Sequence, residues 1–123
     1  MRILIMDDEE FIREFMVEAL QMLGHTVKDA SEGDEAVAFY KEAYNSSDPF
    51  DVVFLDITVY HGTGGDEAVK KMIEFDPNVK AVALSGHKTG ELYTNFRDFG
   101  FLKYLLKPVE LSEIEAVLSE LAP

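Results

Sequence analysis

Apolar residues along this chain fall into two alternating patterns, short unbroken runs and longer stretches at helical spacing. "RILIM" (2–6) is too short for a buried helix and rich in Ile and Leu, which predicts an interior strand. Phe11, Ile12, Phe15, Met16, Ala19, Leu20 and Leu23 then recur with the period of a helix, and Gly24 supplies its stop. "HTVKDA" (25–30) predicts a second strand. A second helix starts near Asp34, with Ala36, Val37, Tyr40, Ala43 and Tyr44 on one face, and "NSSDP" (45–49) ends it. "DVVFLD" (51–56) is the third strand; Ala68, Val69, Met72 and Ile73 mark a third helix closed by Asp76-Pro77. "VKAVALS" (79–85) is the fourth strand. In 88–99, Leu92, Tyr93, Phe96 and Phe99 keep helical spacing, although Thr89, Gly90, Thr94 and Asn95 are weak helix formers. Gly100 caps that fourth helix, and "FLKYLLK" (101–107) is the fifth strand. The last helix is expected to open on a capping box of Ser112 and Glu115 and to bury Ile114, Val117, Leu118 and Leu121.

Strands alternating with helices predict an α/β fold: a doubly wound, five-stranded parallel sheet with helices on both faces. The flavodoxin-like strand order 2-1-3-4-5 is the common solution at this size. With 123 residues, no repeat and no linker, the expectation is a single domain over 1–123. The absence of cysteine excludes disulfides and thiolate metal sites. The apolar runs are too short to span a membrane and no signal peptide precedes the first strand, so the expected location is cytoplasmic. Asp and Glu number 24 against 11 Lys and Arg, a formal net charge of −13. Such a field repels phosphate backbones, which argues against direct nucleic-acid binding, and it attracts cations.

Ligands of open α/β sheets bind at the carboxyl ends of the strands, near the point where strand order reverses. Asp7 and Asp8 stand just past the first strand, Asp56 ends the third, Ser85 and Gly86 end the fourth, and Lys107-Pro108 follow the fifth. Two like charges about 4 Å apart repel by roughly 4 kcal/mol at an effective dielectric of about 20, so the three acids need compensation. Lys107 supplies one positive charge, and a hard divalent cation would supply the rest; oxygen-only ligands favour Mg²⁺. A metal beside a carboxylate and a lysine is the apparatus of phosphoryl transfer, with Asp56 attacking in line and Ser85 donating to a phosphoryl oxygen.

This constellation resembles the receiver domain of two-component response regulators, and the match covers the whole chain. "ILIMDDEE" resembles the family's acid pair, "VVFLDITV" its phospho-acceptor strand, "ALSG" its strand-four hydroxyl and "LLKP" its lysine. Tyr104 falls where receivers carry a switch aromatic, and Gly64 takes the family's glycine position eight residues beyond the acceptor. The resemblance implies that Asp8 and Asp56 bind Mg²⁺ directly with the Thr58 main-chain carbonyl, that Asp7 helps through water, and that the Lys107-Pro108 bond is cis. It implies a phosphoacceptor rather than a turnover enzyme, taking its phosphoryl group from the phosphohistidine of a histidine kinase or phosphotransfer protein. Ser85 and Tyr104 then switch the face made by the fourth helix, fifth strand and fifth helix, which meets a downstream protein; phosphorylation-dependent homodimers fit the same scheme.

Two departures stand out. Receivers usually carry proline four residues past the acceptor, where this chain has Tyr60 followed by His61. The run "DITVYHGTGGDEAVKKM" (56–72), with its Gly64-Gly65 pair, most resembles receivers fused to hybrid sensor histidine kinases. Thr58 and His87, each two residues beyond a site residue, flank the path of a hydrolytic water and are expected to set the acyl phosphate's lifetime. Glu9 and Glu10 are read as helix-starting acids, Lys103 as a solvated edge charge, and His25 and His61 are given no role. The rival readings are a haloacid-dehalogenase-like aspartyl phosphatase, whose nucleophile motif comes first in the chain and which needs a longer chain, and a degenerate receiver that only docks partners. A flavodoxin would need a hydroxyl-rich phosphate loop where this chain has acids.

Overall fold

Five strands form one sheet: β1 (Arg2–Met6), β2 (Thr26–Ala30), β3 (Val52–Asp56), β4 (Ala81–Ser85) and β5 (Lys103–Leu106). Between and after them come α1 (Glu10–Met22), α2 (Gly33–Tyr44), α3 (Gly65–Phe75), α4 (Glu91–Thr94) and α5 (Leu111–Leu121). The computed structural model describes residues 1–86 and 90–123. All strand pairs are parallel, in the order β2-β1-β3-β4-β5 expected from the sequence.

Covering both faces of a parallel sheet buries its central strands throughout, which is why they read as unbroken apolar runs. Alternate residues serve opposite layers. Leu4, Met6, Val53, Leu55, Ala81 and Ala83 pack with Ala36 and Tyr40 of α2 and Val69 and Met72 of α3. Ile3, Ile5, Val52, Phe54, Val82 and Leu84 pack with Met16 and Leu20 of α1 and Ile114 and Leu118 of α5. Met6 lies beside both Ala30 and Leu55, Asp56 beside Leu84, and Ser85 beside Leu106. That register brings the residues following β1, β3, β4 and β5 to a common edge.

The helices depart from expectation in three places. In α1 the helical period holds, but only Met16, Ala19 and Leu20 are buried; Phe11 is 83% and Phe15 48% exposed. Adjacent helical residues are about 100° apart, so Phe11 and Phe15 occupy a row beside the one that Ile12 and Met16 turn toward the sheet. The capping box of α5 is formed by Glu110 and Glu113 rather than Ser112 and Glu115: Glu113 Oε1 accepts the Glu110 N–H at 3.1 Å. This earlier acid pair serves the first-turn amides, and Ser112 is already inside the helix; the four apolar residues expected to be buried are. Among the described residues the fourth helix is a single turn, Glu91–Thr94, and does not run on to 99 as expected; positions 88 and 89 of that expectation lie outside the described residues. After Asn95 the chain continues in i→i+3 turns (Asp98 N–H to Asn95 O, Phe99 to Phe96, Gly100 to Arg97), ending at Gly100 with φ +106°. Residues of weak helix propensity have yielded to turn hydrogen bonds.

Behind the sheet, α2 and α3 are joined by a buried polar bond. The Tyr40 hydroxyl donates to Asp76 Oδ2 at 2.6 Å, and Asp76 Oδ1 accepts the Asn78 N–H at 3.0 Å. Burial, aided by the neighbouring Asp76 carboxylate, holds the Tyr40 phenol well above its usual range, so it stays a donor. Tyr40→Phe should therefore lower stability by about 1–3 kcal/mol, because a buried carboxylate oxygen loses its donor. Urea denaturation should show a lower midpoint with an unchanged slope.

Candidate functional site

The shared edge of the sheet carries Asp7 and Asp8 after β1, Asp56 at the end of β3, Ser85 at the end of β4 and Lys107 after β5. Asp7, Asp8 and Asp56 each bring a carboxylate oxygen within 4.8 Å of the others. An open cleft of about 370 Å³ reaches Asp56 and is lined also by Glu9, Thr58, Tyr60, Gly86 and Lys107.

The three acids are held differently. Asp7 is fully buried: Oδ1 accepts the Glu9 N–H at 2.8 Å and Oδ2 forms an ion pair with Lys107 Nζ at 2.8 Å. Its backbone is fixed too, with the N–H on Ala30 O at 3.1 Å and the carbonyl accepting from Arg13 Nη1 at 2.7 Å. Asp56 Oδ1 meets Lys107 Nζ at 3.3 Å and the Thr58 N–H at 3.2 Å. Asp8 Oδ2 accepts the Tyr60 N–H at 3.1 Å. The remaining oxygens, Asp8 Oδ1 and Asp56 Oδ2, are buried without a hydrogen-bond partner among the described residues. Burying a polar oxygen unpaired is unfavourable, and two such carboxylate oxygens in one cluster suit a hard cation.

Charge balance follows from this geometry. Burial, then the Asp7 charge, pushes the Asp56 carboxyl up to about 7, with Lys107 acting against the shift. Burial would lower the Lys107 pKa, but its bonds to Asp7 and its proximity to Asp56 outweigh that and raise it, so it remains an ammonium.

Of the other residues singled out from sequence, Ser85 is buried at the end of β4. Tyr104 is half-buried on β5, edge-on to Tyr93 at 5.0 Å between ring centroids and 6.0 Å from Phe96. Thr58 lines the cleft, Gly64 takes the N-cap position of α3, and the Lys107–Pro108 bond is cis. Lys103 pairs with Glu120 of α5, away from the acids. His87 lies outside the described residues.

Three contributors were not foreseen. Glu9, read only as a helix-starting acid, caps Asp7 through its amide and places Oε1 3.5 Å from Lys107 Nζ. Arg13 bridges the Asp7 carbonyl and Asp29 Oδ2, the latter at 2.9 Å; its place one turn beyond the acid pair was the available clue. The Tyr60 contact is made by a backbone amide, which only the lack of proline at position 60 announces.

Fold and rim together define a doubly wound α/β domain with an anionic site at the strand carboxyl ends. The chain belongs to the response regulator receiver domain family, which matches residues 3–119. It is 30% identical over 122 residues to the chemotaxis protein CheY of Thermotoga maritima, covering 98% of this chain and 97% of that one. The sensor kinase CckA of Brucella abortus is 26% identical over 119 residues, 97% of this chain but 12% of that longer protein, so a kinase receiver is among its relatives. The CheY of Borrelia burgdorferi, solved in complex with CheX, BeF3 and Mg²⁺, superimposes with a TM-score of 0.87 at 26% identity, covering 99% of this chain and 90% of that one. The protein is thus a CheY-like receiver domain of two-component signalling. No helix among the described residues is long and apolar enough to cross a membrane.

The raised Asp56 pKa has a stability consequence. An unfolded aspartate titrates near 3.9, so the folded protein holds this proton more tightly and loses stability as pH rises from about 4 through about 7. In chelator, Asp56→Asn should melt at a higher temperature than the parent at pH 8, with the margin shrinking toward pH 5. A margin independent of pH would contradict this account of the site.

Proposed function

We propose that Asp56 accepts a phosphoryl group from the phosphohistidine of a histidine kinase or phosphotransfer protein, with Mg²⁺ held by the acid cluster. One observation carries this reading: both Asp7 oxygens are engaged by Glu9 and Lys107, whereas Asp8 and Asp56 each keep one buried oxygen open. Asp8 and Asp56 would therefore hold the metal directly with the Thr58 main-chain carbonyl, and Asp7 would act through water. Bound there, Mg²⁺ would neutralise charge on the phosphoryl oxygens and on the crowded carboxylates.

An Asp56 carboxylate oxygen attacks phosphorus in line. The new P–O bond forms as the P–N bond breaks, and its electron pair returns to the donor imidazole. Lys107, kept charged by Asp7 and Asp56, neutralises an oxygen of the arriving group. The Ser85 hydroxyl donates to another. As Ser85 shifts toward the phosphate, Tyr104 turns inward and the face made by α4, β5 and α5 changes shape for a downstream protein. The single turn of α4 suits this, since switching elements come from the less stable parts of a structure. Water attack on phosphorus later cleaves the P–O bond and returns Asp56 and inorganic phosphate; Thr58 and His87 set that rate. The chain thus works as one receiver unit over 1–123, a phosphoacceptor rather than a turnover enzyme. It is cytoplasmic, makes no direct contact with nucleic acid, and is open to phosphorylation-dependent pairing with a second copy.

Acetyl phosphate with Mg²⁺ should add one phosphoryl group, mapped by mass spectrometry to Asp56. Asp56→Asn should abolish the label and chelation should prevent it. Label elsewhere, or steady turnover of p-nitrophenyl phosphate, would sink this reading in favour of a phosphatase. On the labelled protein, Thr58→Ala and His87→Ala should alter the decay of the adduct without changing the melting temperature; unaltered decay in both removes their assigned role.

A further inference from the structure

Residues 57–64, between β3 and α3, carry Thr58 and run along one side of the acid cluster. A proline at position 60 would stiffen this segment but offer no N–H. Tyr60 has one, and it donates to Asp8 Oδ2 at 3.1 Å. Without a proline ring the segment can be held only by its contacts, and those at its far end supply a hold.

Glu32, the N-cap residue of α2, spends one carboxylate oxygen on its own helix: Oε1 accepts the Glu35 N–H at 2.8 Å. Oε2 is shared, accepting the Asp34 N–H at 3.0 Å and, across the gap, the Thr63 N–H at 3.2 Å. The contact is returned by the Gly33 N–H, which donates to Thr63 O at 2.7 Å. Glycine on both sides makes this approach feasible. A Cβ at Gly33 would lie 2.6 Å from Thr63 O, and one at Gly62 (φ +125°) would lie 2.9 Å from Glu32 Oε2. Burial would raise the Glu32 pKa, but the three amides outweigh it and hold the carboxyl below its usual range, so it accepts as an anion at neutral pH.

We propose that Glu32 is a positioning residue for the acid cluster: by holding Thr63 it fixes the loop whose Tyr60 amide orients the Asp8 carboxylate with Oδ1 open. Glu32 touches none of the three acids in this scheme. It acts through the loop backbone, from the Thr63 amide that it holds to the Tyr60 amide on Asp8. The metal part of the inference rests on the function proposed above; the anchoring of the loop does not.

Two variants separate anchoring from helix capping. Glu32→Ala removes both. Glu32→Asp keeps a carboxylate well suited to cap α2 but is one methylene shorter, and the bond to Thr63 is already 3.2 Å. Amide hydrogen exchange at Tyr60 and Thr63 is measured in the metal-free protein, and Mg²⁺ affinity by titration calorimetry. Both variants should exchange these amides at least about tenfold faster and bind Mg²⁺ roughly tenfold more weakly, with Glu32→Asp retaining the parental melting temperature. Parental exchange at Tyr60 in both variants would overturn the proposal. So would parental Mg²⁺ affinity in both, or full recovery of both readouts in Glu32→Asp, which would make Glu32 a helix cap alone. A parent protein that takes up no Mg²⁺ would defeat the metal reading, while the exchange rates would still decide the anchoring.

Discussion

The ammonium of Lys107, 2.8 Å from Asp7 and 3.3 Å from Asp56, is the contact on which the functional edge depends. Two nearly inaccessible carboxylates stand side by side because the parallel register of β1 and β3 leaves them no alternative. At such separations repulsion is of order several kcal/mol at intermediate dielectric. One cation offsets part of it; burial first, and then what remains of the Asp7 repulsion, displaces the Asp56 pKa upward. The site is thus unfinished electrostatically, and the function proposed above builds on that incompleteness.

Compensation is unevenly shared. Asp7 is satisfied by Glu9 and Lys107, while Arg13 holds its carbonyl. Asp8 and Asp56 are each half satisfied, by the Tyr60 and Thr58 amides respectively. A symmetric arrangement would leave three equivalent carboxylates; this one leaves Asp7 tied at both oxygens and Asp8 and Asp56 with one oxygen open each. Support for Asp7 comes from Lys107 after the fifth strand and from Glu9 and Arg13 at the start of the first helix, while the loop after β3 holds the other oxygen of Asp8 and of Asp56.

Much of this was legible in the chain. Buried central strands have to be apolar without interruption, so "ILIM", "VVFL" and "AVAL" announced themselves, and topology then placed Asp7, Asp8, Asp56, Ser85 and Lys107 together. What the sequence hid was of another kind. A backbone amide such as that of Tyr60 has no residue-type mark, and Glu32 reaches Thr63 from 31 positions away. Phe11 and Phe15 share a helical period with core residues yet lie on the neighbouring row. The capping box of α5 fell on Glu110 because two candidate pairs at the same spacing, Glu110 with Glu113 and Ser112 with Glu115, overlap there. In α4, apolar spacing suggested a length that Thr94 and Asn95 did not sustain.

The parallel topology also imposes an order in time. Ribosomal synthesis runs from the first strand to the fifth, so both acids after β1 and the one ending β3 are made well before residue 107 emerges. A nascent chain can lay down its central strands, but the counter-charge arrives only with the last strand. Until then the growing sheet edge must keep its carboxylates hydrated or protonated, and closing it waits on a residue some fifty positions downstream of Asp56.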